Sequence, residues 1–92
     1  QNHFRNEAVM VADDQMSREM AKGFDLVSTT TRNSFVRRQV LSGFKNYSVT
    51  IFCNRSGSSL QNSKKVDFEI RWTYKNVQYN HGASTVITKS NQ

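Results

Sequence analysis

The segment Val66–Lys75 leaves the chain little choice of local structure. Val66, Phe68, Ile70, Trp72 and Tyr74 take every second position, with Asp67, Glu69, Arg71, Thr73 and Lys75 between them. Side chains on a strand alternate between its two faces, so this pattern makes a strand with one apolar face and one wet face. Such a strand needs neighbours at its edges and a cover over its apolar side. Tyr47–Cys53 supplies a neighbour: Tyr47, Val49, Ile51 and Cys53 share one face, opposite Ser48, Thr50 and Phe52. The two runs are expected to pair, with Val49, Ile51, Phe68, Ile70 and Trp72 at the centre of the core.

The remaining elements are read with less periodicity to guide them. Leu26–Arg32 is rich in β-branched residues and reads as strand. Phe35–Leu41 follows, with Ser42-Gly43 as a turn or bulge. Val77–Tyr79 and Ser84–Thr88 read as two short strands broken at Asn80-His81-Gly82. Lys75-Asn76 reads as a tight connection, because Asn tolerates the left-handed conformation. Asn54-Arg55-Ser56-Gly57-Ser58-Ser59, continued through Gln61-Asn62-Ser63, is a long polar loop.

Two readings of residues 4–22 stand side by side. Phe4, Ala8, Ala12, Met16 and Met20 recur every four residues and draw a stripe along one helix. Alternatively, Ala8–Val11 is a short edge strand and Asp13-Asp14 caps a shorter helix that runs to Lys22. In the shorter version Gly23 stops the helix, and in both the acidic residues lie near the helix start, where the dipole favours them.

Ninety-two residues, 36% of them hydrophobic, make a single domain over residues 1–92 with one modest core. A chain of this size buries roughly two-thirds of its unfolded surface and has little stability to spend on a deep cleft. No proline and four glycines exclude a collagen-like or linker character. One cysteine excludes a disulfide-stapled scaffold and a four-cysteine zinc module. It suits the cytosol, or an oxidising compartment if the thiol is buried. No run approaches the length of apolar sequence that a transmembrane helix needs. Beginning at Gln1, the chain reads as a mature or trimmed product, compatible with a signal peptide upstream.

The net charge of +6 is unevenly spread. Residues 1–25 carry Arg5, Arg18 and Lys22 against Glu7, Asp13, Asp14, Glu19 and Asp25, whereas in the remainder only Asp67 and Glu69 oppose the basic side chains. A basic surface attracts an anionic partner: an acidic protein face, an anionic lipid or nucleic acid. Arg32, Arg37, Arg38 and Lys45 are the candidate partner-binding residues. Nucleic acid is disfavoured, because Trp72 shares its face with core residues, and Asp67 and Glu69 interrupt Arg71 and Lys75 on the wet face.

Catalytic chemistry finds few reagents. His3 lies near the terminus, His81 beside Gly82, and Cys53 alternates with core residues, so a Cys53–His81 pair lacks a third group. Asp13 and Asp14 point different ways and make no dyad. The His and Cys residues lack metal-ligand spacing, no glycine-rich phosphate loop occurs, and no cofactor is expected. Met10, Met16 and Met20 suit the packing of a helix onto a sheet. Asn46-Tyr47-Ser48 and Asn54-Arg55-Ser56 match the glycosylation pattern, as chance allows in a chain so rich in Ser and Asn.

Two families are resembled. Ala21-Lys22-Gly23-Phe24-Asp25-Leu26-Val27, Thr31-Arg32, Val49–Gly57 and Val66-Asp67-Phe68-Glu69-Ile70-Arg71-Trp72 together resemble the YcfL-type lipoproteins of Gram-negative periplasms. That resemblance implies a mainly β fold, a small antiparallel immunoglobulin-like β-sandwich, here with one short helix near the N-terminus. It also implies a periplasmic or secreted address, with lipid anchoring at the outer membrane and no catalysis. Thr73-Tyr74-Lys75-Asn76 stands where that family has Asp and Gly. Gln39-Val40-Leu41-Ser42-Gly43 is similar to the Gln-x-Val-x-Gly hairpin of cystatins, with Leu41 in place of Val and no Pro-Trp second loop. The cystatin resemblance implies an α+β fold, one helix packed on a four-stranded antiparallel sheet, and peptidase inhibition. The leading expectation is a non-catalytic exported interaction module in a multi-subunit cell-envelope assembly, binding protein through sheet edges and a basic surface. A peptidase inhibitor and a single-strand nucleic-acid binder are the alternatives, and a cytoplasmic address stays open.

Overall fold

A computed structural model of the chain describes residues 2–54 and 63–89. Helix α1 (Asn2–Lys22) leads through a 3₁₀ turn (Phe24–Leu26) into four strands: β1 (Arg32–Val40), β2 (Gly43–Asn54), β3 (Ser63–Tyr74) and β4 (Val77–Thr88). The strands form one antiparallel sheet in the order β1-β2-β3-β4. The expected partners pair: Val49 lies opposite Ile70 and Ile51 opposite Phe68. Helix α1 lies against one face of this sheet, touching β1, β3 and β4. Among the described residues there is this single sheet, and α1 takes the face on which a sandwich would carry a second one. The antiparallel β content expected from the sequence is present, arranged as one helix on four strands.

The core is built mainly from the sheet. Tyr47, Val49, Ile51, Cys53, Val66, Phe68, Ile70 and Trp72 are buried on the helix side, and Ala8, Val11 and Ala12 meet them from α1. Small residues on the helix let its backbone settle close over the aromatic side chains below. The Tyr47 hydroxyl donates to the Phe4 carbonyl at 2.9 Å, pinning the first turn of α1 to β2. Burial, aided by the nearby Glu7 charge, pushes the Tyr47 pKa up to about 12.

Several local expectations are corrected. Residues 2–22 form one helix, so Ala8–Val11 is not a strand, and Asp13 and Asp14 lie mid-helix rather than at a cap; the first turn contains no acid. The period-four stripe also drifts. At 3.6 residues per turn each step of four overshoots by about 40°, so Ala8 and Ala12 are buried but Met20 has rotated out to 55% exposure. Val11 and Glu19 are buried in its place. The helix does stop at Gly23, whose φ of 83° suits glycine and whose N–H donates to the Met20 carbonyl at 3.2 Å.

Leu26–Arg32 is not a strand of its own: residues 26–31 lie outside the sheet, and Arg32 opens β1. The start of the segment is wound into the 3₁₀ turn, where the buried Lys64 amine donates to the carbonyls of Phe24 at 2.5 Å and Val27 at 3.0 Å. Tertiary hydrogen bonding overrides β propensity there. Asn80-His81-Gly82 does not break the chain either, since β4 runs unbroken from Val77 to Thr88. Lys75 and Asn76 do form the tight β3–β4 turn, at φ 51° and 63°. Between β1 and β2 the turn residues are Leu41-Ser42, with Val40 paired to Gly43. Leu41 at φ 59° occupies a conformation that a side chain bearing a Cβ disfavours. The Asn54–Ser63 loop and the Asn54-Arg55-Ser56 pattern extend beyond the described residues.

Tyr47→Phe tests the pin between helix and sheet. The variant should lose about 1 kcal/mol at neutral pH, the net worth of one hydrogen bond. Tyr47 is neutral when folded, so its contribution is complete below the unfolded pKa near 10 and is lost as pH rises towards about 12. Urea unfolding at pH 7 and above pH 10 should therefore show a smaller alkaline loss of stability in the variant.

Candidate interaction surface

The four basic residues singled out in the sequence do not form one patch. Arg32, Arg38 and Lys45 lie on the helix side of the sheet, and Arg37, one step along β1, projects from the opposite face. Arg32 reaches the buried Glu19 carboxylate on α1, Nη2 to Oε1 at 2.5 Å, and Lys22 approaches the same carboxylate at 2.8 Å. Arg38 lies between Glu7 at 3.4 Å and Asp14 at 3.8 Å. The Lys45 amine lies 5.2 Å from the Phe4 ring centroid, and the Arg37 guanidinium 4.5 Å from that of Phe44. Two of the four therefore lock α1 to the β1 side of the sheet, and only Arg37 belongs to the opposite face, which is uncovered among the described residues.

Glu19 shows how strongly that lock acts. Burial raises its pKa, yet hydrogen bonds from Arg32 and Lys22 outweigh the desolvation and hold the carboxyl below its ordinary value. Nothing in the sequence marks Glu19 as Arg32's partner, because the two are 13 residues apart on different elements. Only the docking of α1 brings them together.

The uncovered face carries Asn33, Phe35 and Arg37 from β1, and Phe44, Ser48, Thr50 and Phe52 from β2. Beside them come Asp67, Glu69 and Arg71 from β3, then Asn80, Ser84 and Val86 from β4. Phe35 is 78% exposed, and Phe44, Phe52 and Val86 are also exposed. A shallow groove of about 350 Å³ is lined on this face by Phe35, Ser48, Arg71 and Gln78, and Lys45 and Trp72 reach it from the helix side. Arg71 lies 3.7 Å from Glu69, and Lys65 lies 4.0 Å from Asp67. The acids thus sit among the bases, as the strand pattern indicated, and Trp72 is buried rather than presented as a stacking platform.

The edges of the sheet differ in chemistry. β1 carries three arginines, whereas the twelve residues of β4 include no Asp, Glu, Lys, Arg or Pro. That silence is legible in the sequence, in a chain whose residues are 22% charged, but it becomes meaningful only once β4 is known to be one continuous edge strand.

Cys53 is buried on β2, while His81 lies on β4 opposite Ile70. The register separates them by two strands and four residues, on the order of 16 Å. They are not brought together. Among the described residues no group of three His, Cys, Asp or Glu side chains is placed to hold a metal ion. No helix among the described residues is long and apolar enough to cross a membrane. No protein-family model matches the chain, and neither does any curated protein or solved structure.

Glu19→Gln measures the helix lock. At pH 7 the variant should lose about 1–2 kcal/mol, discounted for the solvent that reaches Arg32 and Lys22. The folded carboxyl has the lower pKa, so its contribution is complete above the unfolded value near 4.3 and is lost as pH falls through the folded one. Denaturant unfolding from pH 7 to pH 2 should show the gap between the two proteins closing in acid.

Proposed function

We propose that this chain is a non-catalytic interaction module, an exported component of a bacterial cell-envelope assembly that binds a protein partner through its sheet. The observation that carries this reading is the one-sided covering of the sheet. α1 protects one face, while the other presents exposed Phe35, Phe44 and Phe52 beside Arg37 and Arg71. Among the described residues the outer sides of β1 and β4 are also unpaired. Exposed aromatics next to arginine suit a protein contact, because both residue types concentrate where interfaces bind most strongly. Free strand edges accept another chain by strand addition. The envelope address rests on the likeness of Val49–Gly57 and Val66–Trp72 to the YcfL-type lipoproteins.

Photo-crosslinking in the source cells tests this. A photoreactive residue replacing Phe35 on the uncovered face, or Asn80 on β4, should give discrete protein adducts in an envelope fraction. The same probe replacing the exposed Asp13 of α1 should give none. Adducts equally abundant from all three positions, or from none, overturn the reading.

One observation favours a second reading, a cystatin-like peptidase inhibitor. Gln39-Val40-Leu41-Ser42-Gly43 forms the tip of the β1–β2 hairpin, at the same end of the sheet as the Lys75-Asn76 turn and the start of α1. The Phe4 and Tyr74 rings meet there at 5.0 Å. A Cβ added at Gly43 meets nothing within 4 Å, so Gly43→Glu should fold. Inhibition of a papain-type peptidase by the wild-type chain, weakened at least tenfold in that variant, supports this reading. No inhibition by the wild-type chain removes it.

A further inference from the structure

Resting on the protein-binding reading, we infer that β4 is a self-pairing edge, and that its occupant is β4 of a second copy of this chain in antiparallel register about a twofold axis at Ala83.

The backbone geometry identifies the free groups. Lys75 and Asn76 form a two-residue turn with both φ values positive, so Tyr74 and Val77 close the turn as a hydrogen-bonded pair. Hydrogen bonding alternates along an antiparallel strand, so Val77, Tyr79, His81, Ala83, Thr85 and Ile87 turn their backbone groups towards β3. Gln78, Asn80, Gly82, Ser84, Val86 and Thr88 then turn theirs outward. The Arg5 guanidinium independently marks the outward side, since its Nη1 donates to the Asn80 carbonyl at 3.5 Å. This is a long contact that an incoming N–H can replace.

Natural edges are ordinarily blunted by lysine, proline, bulges or shortness. β4 has none of these: it is twelve residues long, paired to β3 without interruption, and free of charge and proline. β1 is guarded by Arg32, Arg37 and Arg38. A chain of net charge +6 repels its own copy; the residues of β4 add nothing to that repulsion, and Arg5, reaching Asn80 from α1, is a cation at this edge.

The register follows from using every outward group. Centring on Ala83 sets Gln78 against Thr88 of the copy, Asn80 against Val86 and Gly82 against Ser84, giving about twelve hydrogen bonds. On the helix side the same register sets Tyr79 against Ile87 and His81 against Thr85, with Ala83 meeting its own copy at the axis. None of these pairs joins like charges, and small side chains occupy the axis.

The helix contributes a second, independent element of self-complementarity. Glu7 and Asp14 reach Arg38 on the β1 side of α1, whereas Arg5 reaches β4, which fixes the orientation of the helix. At 100° per residue, Val9, Met16 and Met20 follow Arg5 around towards the β4 side. Val9 and Met16 are half-buried and Met20 is exposed. Twofold pairing through β4 puts both helices on the same face of an eight-stranded sheet and turns these apolar flanks towards each other. A partner offering only a bare strand brings no helix to that face, whereas a second copy brings its own α1.

The test is sedimentation equilibrium of the purified chain across micromolar to millimolar concentration, paired with residue-resolved amide exchange. The expected results are a dimer and slowed exchange at Asn80, Gly82, Ser84 and Val86 as dimer accumulates. Ser84→Pro removes an outward N–H that β3 does not use, so the monomer should keep its fold while the dimer weakens at least tenfold. Val86→Lys, which puts a cation on the edge, should act in the same direction. A monomer at every concentration overturns the proposal, and so does a dimer indifferent to both variants. If the chain is monomeric yet crosslinks from Asn80 to another envelope protein, self-pairing is refuted and the interaction-module reading stands.

Discussion

Everything in this fold depends on one helix covering one face of a four-stranded sheet. β2 and β3 present Tyr47, Phe68 and Trp72 on a common face, and these large side chains cannot remain in water. The cover is unusual in composition, because α1 contributes mainly Ala8, Val11 and Ala12, and its polar residues outnumber its apolar ones. Shape compensates for the modest hydrophobicity: small helix residues allow close approach, and the aromatics beneath supply the buried area. Direction is then set by polar pins, with the Tyr47 hydroxyl on the Phe4 carbonyl at one end and Glu19 with Arg32 at the other. Apolar packing decides that the helix docks, and the pins decide where along and across the sheet it lies.

This division explains which parts of the fold were legible in the sequence. β2 and β3 were legible because each is buried on one face only, and that asymmetry writes a period of two into the residues. Their pairing and the central core residues followed. The helix was harder, because two of its buried positions are alanines and one is Glu19, which carry little apolar signal, and a four-residue repeat is not the period of a helix. β4 was misread at Asn80-His81-Gly82 because an edge strand lying half in solvent tolerates polar residues and glycine, which inside a sheet would mark a break. The start of Leu26–Arg32 departs from its β propensity because the Lys64 amine that holds the Phe24 and Val27 carbonyls comes from a distant strand.

The basic charge divides along the same lines. The sequence shows ten basic residues after position 25 and cannot say which of them are already engaged. Docking of α1, which carries most of the acids, pairs the charges of Arg32 and Arg38 internally. A surplus of positive charge in the strands and of negative charge in the helix is thus partly an intramolecular complementarity, written as an asymmetry along the chain. Arg37 and Arg71, which α1 does not engage, lie on the opposite face of the sheet beside exposed aromatic side chains.

The contrast between the two sheet edges follows from this distribution. The α1 flank over β1 carries acids that meet the β1 arginines, so that margin is charged on both helix and strand. On the opposite flank Val9, Met16 and Met20 join Arg5 beside a strand without charge of its own. A single requirement, holding a weakly hydrophobic helix in register by ion pairs, can therefore leave one edge guarded and the other open. The arginines that orient α1 also place charge along β1, while β4, the other edge strand among the described residues, carries none of its own.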